Sequence, residues 1–188
     1  DQHTISIIMT ASNRSNQVYY TLKTISNSNH KNIQIVLVDD SSVDPINIEK
    51  LKEFPFYIDL ITIKQNKKFW KNPCINYNIA FEYNKSHKII IQNAEVCHVG
   101  DVISHFSKIN NNEYYVYDVV AVANINNNEA IYKYDKLTID IFRERLFSEW
   151  YQHRTNNRCL HFLTGMNYET FLKIKEFSYD YAFVSSFD

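Results

Sequence analysis

The sequence predicts an α/β fold, an open and mostly parallel sheet flanked by helices, and three observations predict it. Apolar runs of strand length, at Ile5–Thr10, Ile33–Val38 and Lys88–Ile91, recur along the first hundred residues, and each stops at a polar cluster. Between the first two, Val18, Leu22 and Ile25 repeat at helical spacing, making strand, helix and strand within about forty residues, the βαβ unit of a parallel sheet. No Gly-, Pro- or Ser-rich stretch interrupts the 188 residues, which are enough for one sizeable core and short of two, so one domain is expected.

Taken in order, Ile5–Thr10 reads as a buried strand, and the turn-prone Ala11–Ser15 leads into the first helix. Ile33–Val38 is the second strand, stopped by Asp39-Asp40-Ser41-Ser42. A helix is expected over Ile46–Phe54 and a strand over Tyr57–Ile63. Pro73 suits the first turn of a helix bearing Ile75, Ile79 and Ala80, and the strand Lys88–Ile91 follows. Beyond residue 101 the pattern loosens. A helix is expected near Val102–Ile109, strands over Tyr114–Val122 and Ala130–Lys133, a helix near Leu137–Trp150, and an apolar segment over Cys159–Met166. The asparagine clusters 110–112 and 126–128 read as loops that close hairpins or strand ends.

Composition excludes several function classes. There are two glycines, Gly100 and Gly165, so neither a glycine-rich dinucleotide fingerprint nor a phosphate loop can be present. A nucleotide would have to be held by side chains and by the amides of other residues. Asparagine, with 22 copies, is expected to stand in for glycine where the backbone turns left-handed. A net charge of −1 provides no basic footprint for nucleic acid or an anionic membrane. Cys74, Cys97 and Cys159 are odd in number and far apart, with no Cys-x-x-Cys pair, which favours a reducing, cytoplasmic setting. No apolar stretch has membrane-spanning length and no signal-like segment opens the chain, which lacks an initiator Met and reads as an excerpt of a longer one.

Ligands of open α/β sheets gather beyond the carboxyl ends of the strands. Three such ends are unusually polar here: Thr10-Ala11-Ser12-Asn13-Arg14, Asp39-Asp40-Ser41-Ser42 and Gln92-Asn93-Ala94-Glu95. The first, with the strand before it, resembles the opening strand of inverting family-2 glycosyltransferases of the GT-A fold. The second resembles their Val-Asp-Asp-Gly-Ser signature, with Ser41 in place of the glycine. The third falls where that family carries its Asp-x-Asp metal motif, here Asn93-Ala94-Glu95 followed by His98-Val-Gly-Asp101. It is most similar to a branch with Gln-Asn-Pro-Glu there and an upstream Asn-Pro-Cys, matched by Asn72-Pro73-Cys74.

The resemblance implies a GT-A nucleotide-diphospho-sugar transferase fold, with a nucleotide half to about residue 101 and an acceptor half over 102–188. It implies that Thr10, Ala11, Ser12, Arg14, Asp39, Asp40, Asn72 and Asn93 bind the nucleotide sugar, with Asp40 accepting from the base and Asp39 supporting the turn. A carboxylate suits the imide N–H of a uracil, so a UDP-sugar is expected first and a dTDP-sugar next. It implies a divalent cation, Mn²⁺ or Mg²⁺, held by Glu95 and Asn93 with His98 as a further ligand; one carboxylate is weaker than the usual two. The general base is expected at Asp188, and the acceptor side at Trp150–His153 and Arg158–Gly165, for a glycan, protein or lipid-linked hydroxyl.

Each motif has a plainer reading. Asp39–Ser42 and Thr10–Arg14 could cap the helices that follow them, and His98, His153 and His161 could be ordinary histidines. A receiver-like phosphoacceptor domain is disfavoured because Ile61-Thr62-Ile63 ends in Lys64 rather than an aspartate. A GT-A domain that binds a sugar nucleotide or glycan without transferring it is the alternative to an enzyme.

Overall fold

The structure, a computed structural model, describes residues 4–122, 130–142, 149–151 and 162–174. Its main sheet has six strands: β1 (Ile5–Ala11), β2 (Ile33–Asp40), β3 (Tyr57–Ile63), β4 (Lys88–Gln92), β5 (Tyr114–Val116) and β8 (Leu163–Asn167), in the order β3-β2-β1-β4-β8-β5. The first four are parallel, and β8 runs antiparallel to both β4 and β5. β6 (Val119–Ala121) and β7 (Glu149–Tyr151) form a second, two-stranded antiparallel sheet.

The centre of the main sheet is apolar on both faces, which explains continuous rather than alternating runs. Ile7, Met9, Ile35 and Leu37 face Val18, Leu22 and Ile25 of helix α1 (Ser15–Ser26) and Phe106 of α4 (Val102–Phe106). Ile8, Val36, Val38 and Ile89 face the other way, toward Ala80 and Phe81 of α3 (Cys74–Phe81) and Phe171 of the last helix, Tyr168–Ile174. Phe81 and Phe171 pack with ring centroids 4.1 Å apart. At the amino ends of the strands, Gln34 Nε2 donates to Asp59 Oδ2 at 2.7 Å and to the Tyr83 carbonyl at 2.8 Å, closing that edge. The carboxyl edge is left for chemistry.

Several expected elements change. The helix expected over Ile46–Phe54 shrinks to one turn, α2 (Ile48–Leu51). The Ile46 amide is taken by Asp39, Asn47 Oδ1 caps the turn through the Glu49 amide, and the chain then leaves through three-residue-spaced bonds ending at Phe54, just before Pro55. The single strand expected over Tyr114–Val122 splits in two. β5 joins the main sheet, the Tyr117 amide still donates to the Leu163 carbonyl, and after Asp118 the chain departs to pair with β7. Ala130–Lys133 is a helical turn, not a strand: Ile131 is drawn with Leu137 against Tyr20 of α1, and Asn27 and Lys23 hold Asp135. Of the helix expected near Leu137–Trp150, Ile139–Ile141 is helical, residues 143–148 lie outside the described residues, and Trp150 falls in β7. Asn110–Asn112 joins α4 to β5, while 126–128 lies outside the described residues. Asparagine does replace glycine in left-handed backbone, at Asn13 (φ 54°) and Asn112 (φ 66°), and Ser41 does so too at φ 58°.

Among the described residues no helix is long and apolar enough to cross a membrane.

Candidate functional site

β1 pairs with β2 on one side and β4 on the other, so all three polar strand ends reach one edge. Two loops are laced together there. Ser12 Oγ donates to the Asp40 carbonyl at 3.0 Å, the Asn13 amide to Ser42 Oγ at 2.8 Å, and the Val43 amide to Asn13 Oδ1 at 2.8 Å. The left-handed backbone at Asn13 and Ser41 lets the chain turn back tightly enough for these bonds.

The paired aspartates have different environments. Asp39 is fully buried, and its two carboxylate oxygens accept from the Ser42 and Ile46 amides, so it organises the loop, while the cap of the helix that follows comes from Asn47 and not from the Asp39–Ser42 motif. Asp40 ends β2 beside Ile63 of β3, and its Oδ2 accepts from Lys68 Nζ at 2.7 Å. Its Oδ1 is buried with no hydrogen-bond partner among the described residues. A carboxylate with one oxygen claimed and one orphaned retains an unmet demand for a donor, which is costly unless something supplies it.

Lys68 is a residue the sequence reading missed, because Lys64, Lys67 and Lys68 look like a solvated run. It is only 17% exposed, which shows that the chain after β3 folds back over the end of β2. Asn72 follows in the same segment. It is fully buried, its Oδ1 accepts from the Cys74 amide at the start of α3, and its Nδ2 has no partner among the described residues. Tyr77 of α3 was also missed. Its hydroxyl donates to the Gln92 carbonyl at the end of β4, and burial, opposed by a hydrogen bond with Thr10, pushes its phenol up to about 12. It thereby ties the β1 end to the β4 end.

Arg14 precedes α1, whose start has no side-chain cap and no acidic residue in its first turn. Capping therefore does not explain Thr10–Arg14. Arg14 Nη1 instead donates to Glu95 Oε1 at 2.8 Å, joining the β1 end to the β4 end by an ion pair with 48% and 39% of the two side chains exposed. Asn93 is half-buried, and its amide donates to the Phe162 carbonyl. Ala11 is buried at the end of β1 and contributes backbone rather than chemistry.

Of the three expected metal ligands, His98 has its ring engaged elsewhere. His98 is buried; its Nε2 pairs with Gln92 Oε1 at 2.8 Å, its amide donates to Thr24, and burial, opposed by the attraction of Asp101, pushes its imidazole down to about 4. It is an interior histidine shaped by the fold. Asp101 also works for the fold. Burial raises its carboxyl, but hydrogen bonds from Ser28, the Asn29 amide and Ser104 outweigh that and hold it well below the usual carboxylate range. Among the described residues no three His, Cys, Asp or Glu side chains converge on a metal position. Glu95 and Asn93 remain, an oxygen set suited to a hard cation but incomplete. Mg²⁺ and Mn²⁺ chemistry tolerates one protein carboxylate when substrate phosphates and water supply the rest, so these residues fit a cation that arrives with a diphosphate.

Beside Glu95 a cavity of about 550 Å³ opens, bordered by Arg14, Gln17, Val96, Tyr117, Asp118 and Phe162. Of the expected acceptor side, Gly165 lies in β8, whose five residues are all buried, so that strand belongs to the core. Gln152, His153, Arg158, His161 and Asp188 lie outside the described residues.

A family model for glycosyl transferase family 2 matches residues 6–176. Among solved structures, the mannosyltransferase PcManGT from Pyrobaculum calidifontis, in complex with GDP-Man and Mn²⁺, matches 95% of this chain and 48% of its own with a TM-score of 0.54 at 12% identity. TarS from S. aureus, in complex with UDP-GlcNAc, matches 49% of this chain and 26% of its own with a TM-score of 0.39 at 13% identity. The chain thus spans about half or less of the length of these structures. No curated protein matches it by sequence.

Proposed function

The chain belongs to glycosyl transferase family 2 and has the GT-A fold, and on that premise we propose that it transfers a sugar from a nucleoside diphosphate, a UDP-sugar first of all, to a hydroxyl acceptor with inversion. The observation that carries this is the Asp40 carboxylate, with Lys68 on Oδ2 and nothing on buried Oδ1. Oδ1 is enclosed in this structure, so a base reaches it with a shift of the segment that carries Lys68, and the one oxygen then accepts one N–H. That suits the imide of uracil, whereas guanine offers two adjacent N–H donors and cytosine no ring N–H. Asn72 Nδ2, equally orphaned in the segment that carries Lys68, is the donor for a base carbonyl.

The diphosphate falls to the start of α1, where uncapped amides and the helix dipole favour an anion, and to Arg14. Thr10 and Ser12 border that strand end, and Asn93 and Glu95 close it from β4. A divalent cation bound there would act as a Lewis acid, neutralising charge on the departing diphosphate. Asp188 is the proposed base that takes the acceptor hydroxyl proton as the oxygen attacks the anomeric carbon. The cavity beside Glu95 is the proposed room for the transferred sugar and acceptor, a glycan, protein or lipid-linked hydroxyl.

The test is to incubate the protein with a panel of nucleotide sugars, with and without Mn²⁺, and to follow binding and release of free nucleotide. UDP-sugars should bind and turn over. Asp188→Asn should abolish turnover by at least about a hundredfold while leaving donor affinity within a factor of about three. Binding without turnover by any donor would favour the non-catalytic alternative, and no binding by any nucleotide sugar would overturn the donor site itself.

A further inference from the structure

Glu95 is the only carboxylate of the Asn93–Glu95 pair, and it is already paired with Arg14, 2.8 Å away. Building on the donor-site reading above, we propose that Arg14 is a tethered counterion which Glu95 exchanges for a divalent cation only when a nucleoside diphosphate binds. Metal and nucleotide binding are thereby coupled through one side chain.

The argument begins with charge. Arg14 balances Glu95 and Lys68 balances Asp40, so neither carboxylate offers a cation its full charge; the third carboxylate of this edge, Asp39, is buried and accepts from two amides. A free cation would have to displace Arg14 and make do with one carboxylate and one amide, which is a poor set, and among the described residues no three His, Cys, Asp or Glu side chains converge on a metal position. A diphosphate changes both conditions. Its oxygens supply the missing ligands, and they give the guanidinium a second planar, negatively charged partner, the geometry Arg suits best. Glu95 is released to the cation as Arg14 moves to phosphate, and every charge remains paired.

Exposure makes the exchange feasible. With 48% and 39% of the side chains in solvent, the pair is worth only a factor of about two to five, so it can be broken by modest competition. The Lys68–Asp40 pair, at 17% and 11%, is much more enclosed and is assigned no such movement. Reciprocity follows, because whatever factor nucleotide contributes to metal affinity, metal must contribute to nucleotide affinity.

The experiment titrates the full chain with MnCl₂ and with UDP, each alone and in the presence of the other, following free Mn²⁺ by electron paramagnetic resonance and UDP by calorimetry. Wild type should bind Mn²⁺ weakly alone and at least about tenfold more tightly with UDP, with the same factor in the reverse direction. Arg14→Gln should move the two affinities in opposite directions. Mn²⁺ alone should bind about two- to fivefold more tightly, and UDP alone about tenfold more weakly because a charge-assisted contact is lost. Arg14→Lys, which keeps the charge, should leave Mn²⁺ alone weak, and thermal melts identify any variant that fails to fold. If UDP binds wild type but Arg14→Gln leaves Mn²⁺ affinity unchanged or lower, the exchange is wrong while the donor site stands. If UDP does not bind wild type with or without Mn²⁺, the donor-site reading falls and takes the exchange with it.

Discussion

Replacing Gly165 with alanine adds a single methyl group in the middle of the sheet, and the structure sets its cost. A Cβ there would lie 2.2 Å from Phe106 Cε2, 2.7 Å from Cδ2 and 2.8 Å from Cζ. Carbon atoms rest at about 3.5–4.0 Å, so the ring or the strand must give by more than about 1 Å. Neither is free to do so. Gly165 is paired on one side with Ile90 and on the other with Tyr115, and Phe106 is fully buried with its edge against the Tyr115 ring. Overpacking of this kind costs about 1–3 kcal/mol, and a rigid pair on both sides puts Gly165→Ala near about 3 kcal/mol. For a chain of this size that is a fall of about 6–12 °C in melting temperature, read by circular dichroism or calorimetry. Phe106→Leu, which shortens the obstructing group, should cost less in the Gly165→Ala background than in wild type, with a coupling of about 1 kcal/mol or more. A Gly165→Ala protein that melts within about 1 °C of wild type, or a strictly additive double variant, would refute the packing argument.

Two further outcomes follow from buried polar groups. His98 is neutral and interior with its imidazole pushed down to about 4, whereas an unfolded histidine titrates near 6.5. Its contribution to stability is therefore complete above about pH 6.5 and is lost as pH falls toward 4. Between pH 7.5 and pH 5 wild type should lose about 2 kcal/mol more than His98→Gln in urea unfolding, and parallel profiles would count against a buried neutral ring. At the proposed base site, Asp40→Asn should weaken UDP binding about tenfold or more through loss of a charged acceptor. UDP methylated at the imide nitrogen should bind wild type equally poorly, and undiminished binding of that analogue would show that Asp40 does not accept from the base.

Much of the chain up to residue 101 was legible in the sequence. β1, β2, β3 and β4 fall within two residues of expectation; β3, at the sheet edge and partly exposed, does so through its β-branched and aromatic residues, and β1, β2 and β4 because a parallel strand inside the sheet needs a continuous apolar run and each run here stops at polar residues. The strand ends carrying Thr10–Arg14, Asp39–Asp40 and Asn93–Glu95 were legible for the same reason. The second half was less so. Tyr114–Val122 has the residues of one strand, but which of its parts joins which sheet depends on β8 and β7, whose paired residues lie 28 to 52 positions further on. Ala130–Lys133 has strand-like residues that α1 recruits into a turn, since burying Ile131 against Tyr20 outweighs local preference.

Within the site, the sequence by itself determined which residue types reach the edge: two aspartates after β2, an arginine before α1, and a glutamate where a second aspartate is usual in the family it resembles. Only the tertiary structure decided what each of them touches. It turned Asp39 into a loop organiser, put Lys68 on Asp40 from 28 residues away, closed Arg14 onto Glu95, and drew His98 inward to Gln92. It also set Gly165 under the Phe106 ring, in a strand buried along its whole length. Local patterning records burial and backbone preference, whereas ion pairs and ring contacts depend on how separated segments are brought together, and that is settled only when the sheet assembles.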